Sequence, residues 1–307
     1  MSSETGIEIM HSQIGVIGYG EVGKIFASGL RLKTGVLTVS AWDLKFLEDS
    51  RPNVHVEHAQ SASIFVAKSM HNLCSKANFL IAAVTASSTL AVATEAAKHL
   101  QPGSLYLDLN SASPGTKKEA AQVIEAAGGQ YVEAGVMSSI PPYGIRVPML
   151  LGGPHAAALA ARFTAWQMDA KAVSNQLGIA SAIKMSRSVM IKGLEALVIE
   201  SYATARFYGV EDHVLPTLAE TFPSIDWAQQ GAYFFSRVVE HGKRRAEEMR
   251  EAARTVQEAG FEPLMTAGTA AKQQWVADQA AAGVFSKLAK DAPWQDYADA
   301  LLAARKP

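Results

Sequence analysis

Only one cysteine, Cys74, occurs in 307 residues, so no internal disulfide forms and the expected compartment is the reducing cytoplasm. Long apolar runs are missing as well. The nearest, FLIAAVTASSTLAVATEAA over residues 79–97, is cut by Ser and Thr and reads as a strand, a turn and a helix, so no membrane association is expected. The first dozen residues, MSSETGIEIMHS, have neither the basic start nor the apolar stretch of a secretory signal. The net charge of −1 offers no general field for nucleic acid and no polybasic membrane patch. Low-complexity segments and short repeats are absent. What remains is 49% hydrophobic and 19% charged, the balance of a soluble globular chain long enough for two domains.

The front half alternates strand-like and helix-like segments. QIGVIG (13–18), VLTVSAWD (36–43), NFLIAAVT (78–85), SLYLDLN (104–110), YVEAGVM (131–137) and VPMLLGG (147–153) read as strands. Between them, 21–33, 63–77, 88–100, 114–127 and 155–166 read as helices. Near-continuous apolar strands separated by helices indicate a parallel sheet covered on both faces, the doubly wound Rossmann arrangement. From about residue 178 onward the pattern is helical. Helices are expected over 178–197 and near 196–209, 211–221, 224–241, 243–259, 264–280 and 293–304. The expected architecture is an α/β Rossmann domain over 1–177 followed by an all-α domain over 178–307.

The turn after the first strand is Gly18-Tyr-Gly20-Glu-Val-Gly23. Alone, this spacing is weak evidence, but here it follows a strand and opens a helix. Gly18 makes the tight turn, Gly20 lets the backbone approach a diphosphate, and Gly23 lets helix and strand pack. The N–H groups at the start of the helix then hold the anion. Asp43 lies 20 residues after Gly23 at the end of the second strand. A carboxylate there accepts from ribose hydroxyls and repels a 2′-phosphate, which favours NAD, with NADP as the alternative.

Four motifs then resemble, in order, those of the β-hydroxyacid dehydrogenase superfamily, which includes 3-hydroxyisobutyrate and 6-phosphogluconate dehydrogenases. They are IGVIGYGEVG (14–23), LDLNSASP (107–114), VEAGVMSS with PMLLGG (132–153), and GIASAIKMSRS (178–188). The resemblance covers nearly the whole chain. It implies hydride transfer between a nicotinamide cofactor and a small anionic hydroxy acid, sugar acids included, with no metal in the site. Lys184 stands where the family has its catalytic lysine. Implied cofactor contacts are Tyr19, Glu21 and Val22 beside the three loop glycines, then Asp43, Val84, Thr85 and Ser111. Implied substrate contacts are Asn110, Ser111, Ser138, Ser139 and Ser188. The loop departs from the family pattern at Met137, where the family has serine, and Ser188 replaces an asparagine. Ile191 replaces the glutamate that 6-phosphogluconate dehydrogenases use as an acid, which argues against oxidative decarboxylation.

A lysine between Ile183 and Met185 is expensive to bury unless it is paired or used. An apolar surround from Ile183, Met185, Ile191 and Leu194 would lower its pKa toward neutrality, as proton transfer to and from an alcohol requires. Lys192 is rotated roughly 80° from Lys184 around a helix axis. It and Arg187 are left as candidate holders of an anionic substrate. The stiff loop SSIPPYGIRVP (138–148) either offers Arg146 as an anion fork or is a plain β-hairpin connection with Arg146 facing solvent. Farther on, HGKRRAEEMRE (241–251) resembles a superfamily subgroup with its own C-terminal domain, and His241 and Arg244 are candidate substrate contacts. The resemblance also implies a homodimer. Two other readings stay open: an imine reductase, whose relatives usually replace the lysine with Asp or Tyr, and a catalytically silent NAD-binding interaction protein.

Overall fold

The computed structural model describes residues 12–48, 52–289 and 291–305. Two compact units divide the chain between Lys184 and Met185. In the first unit the strands are β1 (Ser12–Ile17), β2 (Val36–Trp42), β3 (Phe65–Val66), β4 (Phe79–Ala82), β5 (Leu105–Asp108), β6 (Gln130–Val136), β7 (Met149–Gly152) and β8 (Ala170–Ser174). The helices are α1 (Glu21–Leu30), α2 (Val54–Ser61), α3 (Met70–Cys74), α4 (Thr89–Ala97), α5 (Pro114–Ala126) and α6 (Ala156–Ala165).

The strands form one sheet in the order β3-β2-β1-β4-β5-β6-β7-β8. The apolar strands explain its two-sided burial. Phe79 and Ile81 of β4 enter one core cluster, while Leu80 and Ala82 enter the other. Leu107 and Val132 likewise go one way, and Tyr106 and Tyr131 the other. Alternation with period two, apolar on both faces, is what a covered parallel sheet demands. The order reverses between β1 and β4, so the ligand crevice of such a sheet lies at their carboxyl ends.

Several expectations are corrected. The segment 63–77 is not one helix: a two-residue edge strand, β3, pairs with Ser40 and Ala41 before Ser69 caps the short α3. β7 runs antiparallel to β6, the hairpin alternative for the 138–148 loop, in an otherwise parallel sheet. A parallel return needs a crossover of about a dozen or more residues, usually a helix, and residues 137–148, stiffened by Pro141, Pro142 and Pro148, form no α-helix. This loop instead folds over α1, where a Cβ on Gly29 would come within 2.5 Å of the Ile145 side chain. β8 gave too little apolar signal to be read.

The boundary between the units falls inside α7 (Ile179–Tyr208), a single helix where two were expected. The second unit continues with α8 (Glu211–Thr221), α9 (Trp227–Glu258), α10 (Leu264–Ala281) and α11 (Trp294–Ala303). α9 also replaces two expected helices. Gly242 does not end it. A Cβ there would meet the Gln273 carbonyl oxygen at 2.9 Å, so this glycine serves the close approach of α10. The core of the unit gathers Tyr202, Trp227, Phe235, Val238, Trp294 and Tyr297. No helix among the described residues is long and apolar enough to cross a membrane.

Candidate functional site: a glycine loop, an amide ledge and Lys184

Each glycine of the first turn has a separate geometric reason. Gly18 has φ +91°, and a side chain there would run into the Ala83 carbonyl. A Cβ on Gly23 would strike the Gly18 carbonyl oxygen, so strand and helix pack only through glycine. Above Gly20 there is open space to 4 Å. Gly20 is the N-cap of α1, with no side chain capping the helix, so the positive helix end faces that space. An open glycine surface over an uncapped helix end fits a diphosphate.

Asp43 follows β2 and is held beside this loop. One carboxylate oxygen accepts from Tyr19 N at 2.5 Å, the other from Lys45 N at 2.9 Å. The carboxylate keeps lone pairs for further donors such as ribose hydroxyls. Tyr19 is buried, and its hydroxyl meets His58 Nδ1 at 3.2 Å. Burial raises the Tyr19 phenol above its usual pKa and lowers that of His58, with Lys24 and His55 adding to the latter. Glu21 and Thr85 are exposed, and Val22 and Val84 half-buried.

A ledge follows β5. Asn110 Oδ1 accepts from Val84 N at 2.7 Å, while its Nδ2 is buried with no hydrogen-bond partner. Next to it, Ser111 Oγ accepts from Lys184 Nζ at 2.5 Å. Lys184 reaches this point because α7 starts close against β6. A Cβ on Gly135 would lie 2.9 Å from Ala180 O and 3.5 Å from Lys184 Cβ. The first turn of α7 is fixed by Glu133, a fully buried carboxylate in β6. It accepts from Gly178 N (2.8 Å), Ala180 N (3.0 Å) and Ser181 Oγ (2.7 Å). The mark of Glu133 in the sequence is that it stands as a lone acid in the apolar run YVEAGV.

The apolar surround expected for Lys184 is not supplied by its neighbours in sequence. Ile183 and Ile191 are exposed, and Met185 belongs to a small cluster with Met249, Ala252 and Ala270. Helical geometry turns adjacent residues about 100° away from one another. Ser138 and Ser139 are exposed just past β6, as are Tyr143 and Arg146 in the same loop.

In the helical unit, the charges left over by the motif comparison have partners. Lys192 of α7 binds Glu248 of α9, and Glu195 of α7 takes Arg245 of α9, with Nε at 3.0 Å. Both pairs are spaced three residues apart and cross in antiparallel sense, so they form a two-rung ladder. Gln273 Nε2 adds a bond to Glu195 at 3.3 Å. Lys192 is therefore corrected from a candidate anion holder to a structural partner, whereas Arg187 is exposed. Ser188 is buried one turn before this ladder and His241 lies one turn beyond it. At 1.5 Å per residue they are roughly 16 Å apart along the helix axes and do not meet. Arg244 is exposed, and His241 lies 3.6 Å from Glu240. Among the described residues no cluster of His, Cys, Asp and Glu could hold a metal.

Known proteins are similar to this chain in sequence and fold. Residues 13–156 match the family described as the NAD binding domain of 6-phosphogluconate dehydrogenase, and residues 205–276 match a domain of unknown function, DUF1932. A conserved hypothetical protein from Sinorhizobium meliloti 1021 is 34% identical, over 96% of this chain and 97% of its own, with a TM-score of 0.76. A conserved protein of unknown function, described as structurally similar to 3-hydroxyacid dehydrogenases, is 28% identical over 88% of this chain and 98% of its own, with a TM-score of 0.66. The fold extends to a Mycobacterium tuberculosis 3-hydroxyisobutyrate dehydrogenase, at 15% identity, 96% and 100% coverage and a TM-score of 0.64. With an NAD-binding fold at its N-terminal end and a helical unit following in sequence, the chain belongs to the β-hydroxyacid dehydrogenase superfamily.

Proposed function

We propose that this protein is an NAD-dependent oxidoreductase that acts on the CH–OH group of a small hydroxy acid, with Lys184 as its general acid and base. The observation that carries the reading is the Lys184 Nζ–Ser111 Oγ hydrogen bond of 2.5 Å. It sets an ammonium and a hydroxyl beside the turn that follows β5. The bound nicotinamide would accept or deliver the hydride. The chain's own groups manage the proton and the placement. In oxidation, neutral Lys184 takes the alcohol proton; in reduction, its ammonium donates to the carbonyl oxygen. Ser111 orients that exchange, Asn110 offers its amide donor, and Ser138 and Ser139 present hydroxyls to the substrate carboxylate. His241 and Arg244 are assigned no step.

Asp43 supports NAD over NADP. Its carboxylate is fixed by Tyr19 N and Lys45 N, so it cannot swing aside for a 2′-phosphate without losing both bonds. The decisive experiment begins with a thermal-shift screen of hydroxy acids and sugar acids in the presence of NAD, since a ligand of the native state raises apparent stability. Turnover of the hits is then followed by NADH absorbance. Lys184→Ala abolishes turnover and leaves NAD binding intact; retained turnover overturns the role of Lys184.

The same reading includes a homodimer formed through the helical unit. Met190, Leu197 and Tyr208 of α7 are 73%, 53% and 69% exposed. Their spacing places them within about 20° on one side of the helix. An exposed apolar stripe of that kind suits a second copy of the chain.

A further inference from the structure

Behind the ledge lies a buried charged network that the proposed chemistry does not use. Lys117 of α5 is fully buried. Its Nζ binds Asp108 Oδ1 at 2.9 Å and the Asp108 carbonyl oxygen at 3.0 Å. Asp108 Oδ1 also accepts from Asn110 N at 2.8 Å, and Oδ2 accepts from Tyr131 Oη at 2.6 Å. Asp108 is the last residue of β5, so these four bonds govern how the chain leaves the strand. A buried ion pair is a poor device for stability alone, because apolar residues of the same volume usually serve as well or better. Its attested use is to fix one geometry among several.

The geometry fixed here is that of Asn110. Its backbone N–H is tied to Asp108, and its Oδ1 is tied to Val84 N at 2.7 Å. Because the Val84 amide can only donate, the oxygen must face it, and the amide flip is settled. Nδ2 is thereby aimed as a donor, and it is buried without a partner. Buried donors left in that state are rare and call for an acceptor. The sheet order reverses between β1 and β4, so the ends of β4 and β5 lie across the glycine loop from Asp43, on the other side of that reversal.

We infer that Asp108, Lys117 and Tyr131 are positioning residues that hold the Asn110 amide ready for a carbonyl acceptor on the nicotinamide half of the dinucleotide. The inference rests on the reading of the glycine loop as a dinucleotide site. Lys117 and Tyr131 act only through Asp108 and Asn110, and no proton leaves the network.

The test compares two probes on the full chain by titration calorimetry: NAD⁺, and ADP-ribose, which has the diphosphate and both riboses but no nicotinamide ring. Lys117→Met lowers affinity for NAD⁺ by about tenfold, the size of one well-placed hydrogen bond, and leaves ADP-ribose unchanged. Tyr131→Phe removes one hydroxyl without changing shape; it moves NAD⁺ in the same direction by a smaller factor and serves if the Lys117 variant does not fold. Equal losses for both probes, or no loss for NAD⁺, overturn the positioning role. A wild-type chain that binds ADP-ribose and NAD⁺ equally also overturns it, since the ring then gains nothing. A wild-type chain that binds neither overturns the dinucleotide reading itself, and the inference falls with it.

Discussion

Replacing Glu133 tests whether the start of α7 is held where Lys184 needs it. This carboxylate accepts three hydrogen bonds, two of them from backbone amides at the start of α7, Gly178 just before it and Ala180 in its first turn. It therefore does the work of an N-cap from another element and also places negative charge at the positive helix end. Glu133→Ala leaves the Gly178 and Ala180 amides buried and unsatisfied, while Ser181 Oγ keeps its bond to the Gly178 carbonyl at 3.1 Å. Two orphaned donors cost about 3–5 kcal/mol together. Glu133→Gln keeps the shape and an oxygen for the two amides, while its NH2 donates to Ser181 Oγ in place of accepting from it, so the main loss is the charge, at about 1–2 kcal/mol. Calorimetric melting should show the unfolding transition of the N-terminal unit lowered by roughly 3–6 °C in the Gln variant and by more in the Ala variant. A third variant closes the argument. Gly152 pairs with Glu133 across β6 and β7, and a Cβ on it would run into the Glu133 carboxylate. Gly152→Ala should thus cost much less in the Glu133→Ala background than in the wild type, with a coupling above about 1 kcal/mol. Additive effects, or a Gln variant as damaged as the Ala variant, would refute the cap.

Three further outcomes follow from the geometry. Asp43→Asn keeps an acceptor for one of the two amides but removes the charge; the ratio of NADP⁺ to NAD⁺ affinity should rise about tenfold, and an unchanged ratio would remove Asp43 from cofactor choice. Burial holds the His241 pKa below its usual value, opposed by Glu240 and assisted by Arg237, Arg244 and Arg245. The unfolded chain therefore binds the proton more readily, and stability falls as pH drops below the ordinary histidine value of about 6.5. His241→Gln should flatten part of that acid-side loss in urea melts at pH 7 and pH 5, leaving the share that the lowered pKa of His58 contributes; an equal slope would refute it. The proposed homodimer predicts that the wild-type chain is a dimer in light scattering and that Leu197→Lys, within the exposed stripe of α7, shifts it to monomer; a monomeric wild type would refute the dimer, and a dimer that persists in the variant would place the interface elsewhere.

Legibility followed distance along the chain. The three loop glycines were readable because each answers a backbone requirement set within a few residues, at a turn, an open face and a helix–strand crossing. The strands β4, β5 and β6 were readable because two-sided burial leaves an unbroken apolar run. What failed was decided by remote neighbours. β3 exists because Ser40 and Ala41 are there to pair with it, and the edge strand itself is too short for a period to show. Gly242 looked like a break between helices, yet it marks where the backbone of α10 comes near.

The charges follow the same rule, and they separate what a sequence can say about a site from what it cannot. A charge inside an apolar run announces that a partner exists and leaves it unnamed. Lys184 and Lys192 raised the same question on the same helix. Lys192 is answered by Glu248, 56 residues on, in a ladder that Arg245 and Glu195 complete. Lys184 meets Ser111, 73 residues back, on a turn whose neighbouring amide still presents a donor. A carboxylate partner consumes an ammonium's charge in holding two helices together. A hydroxyl such as Ser111 Oγ can orient an ammonium and exchange a proton with it, and that contact, invisible in the one-dimensional pattern, is what supports the role proposed for Lys184.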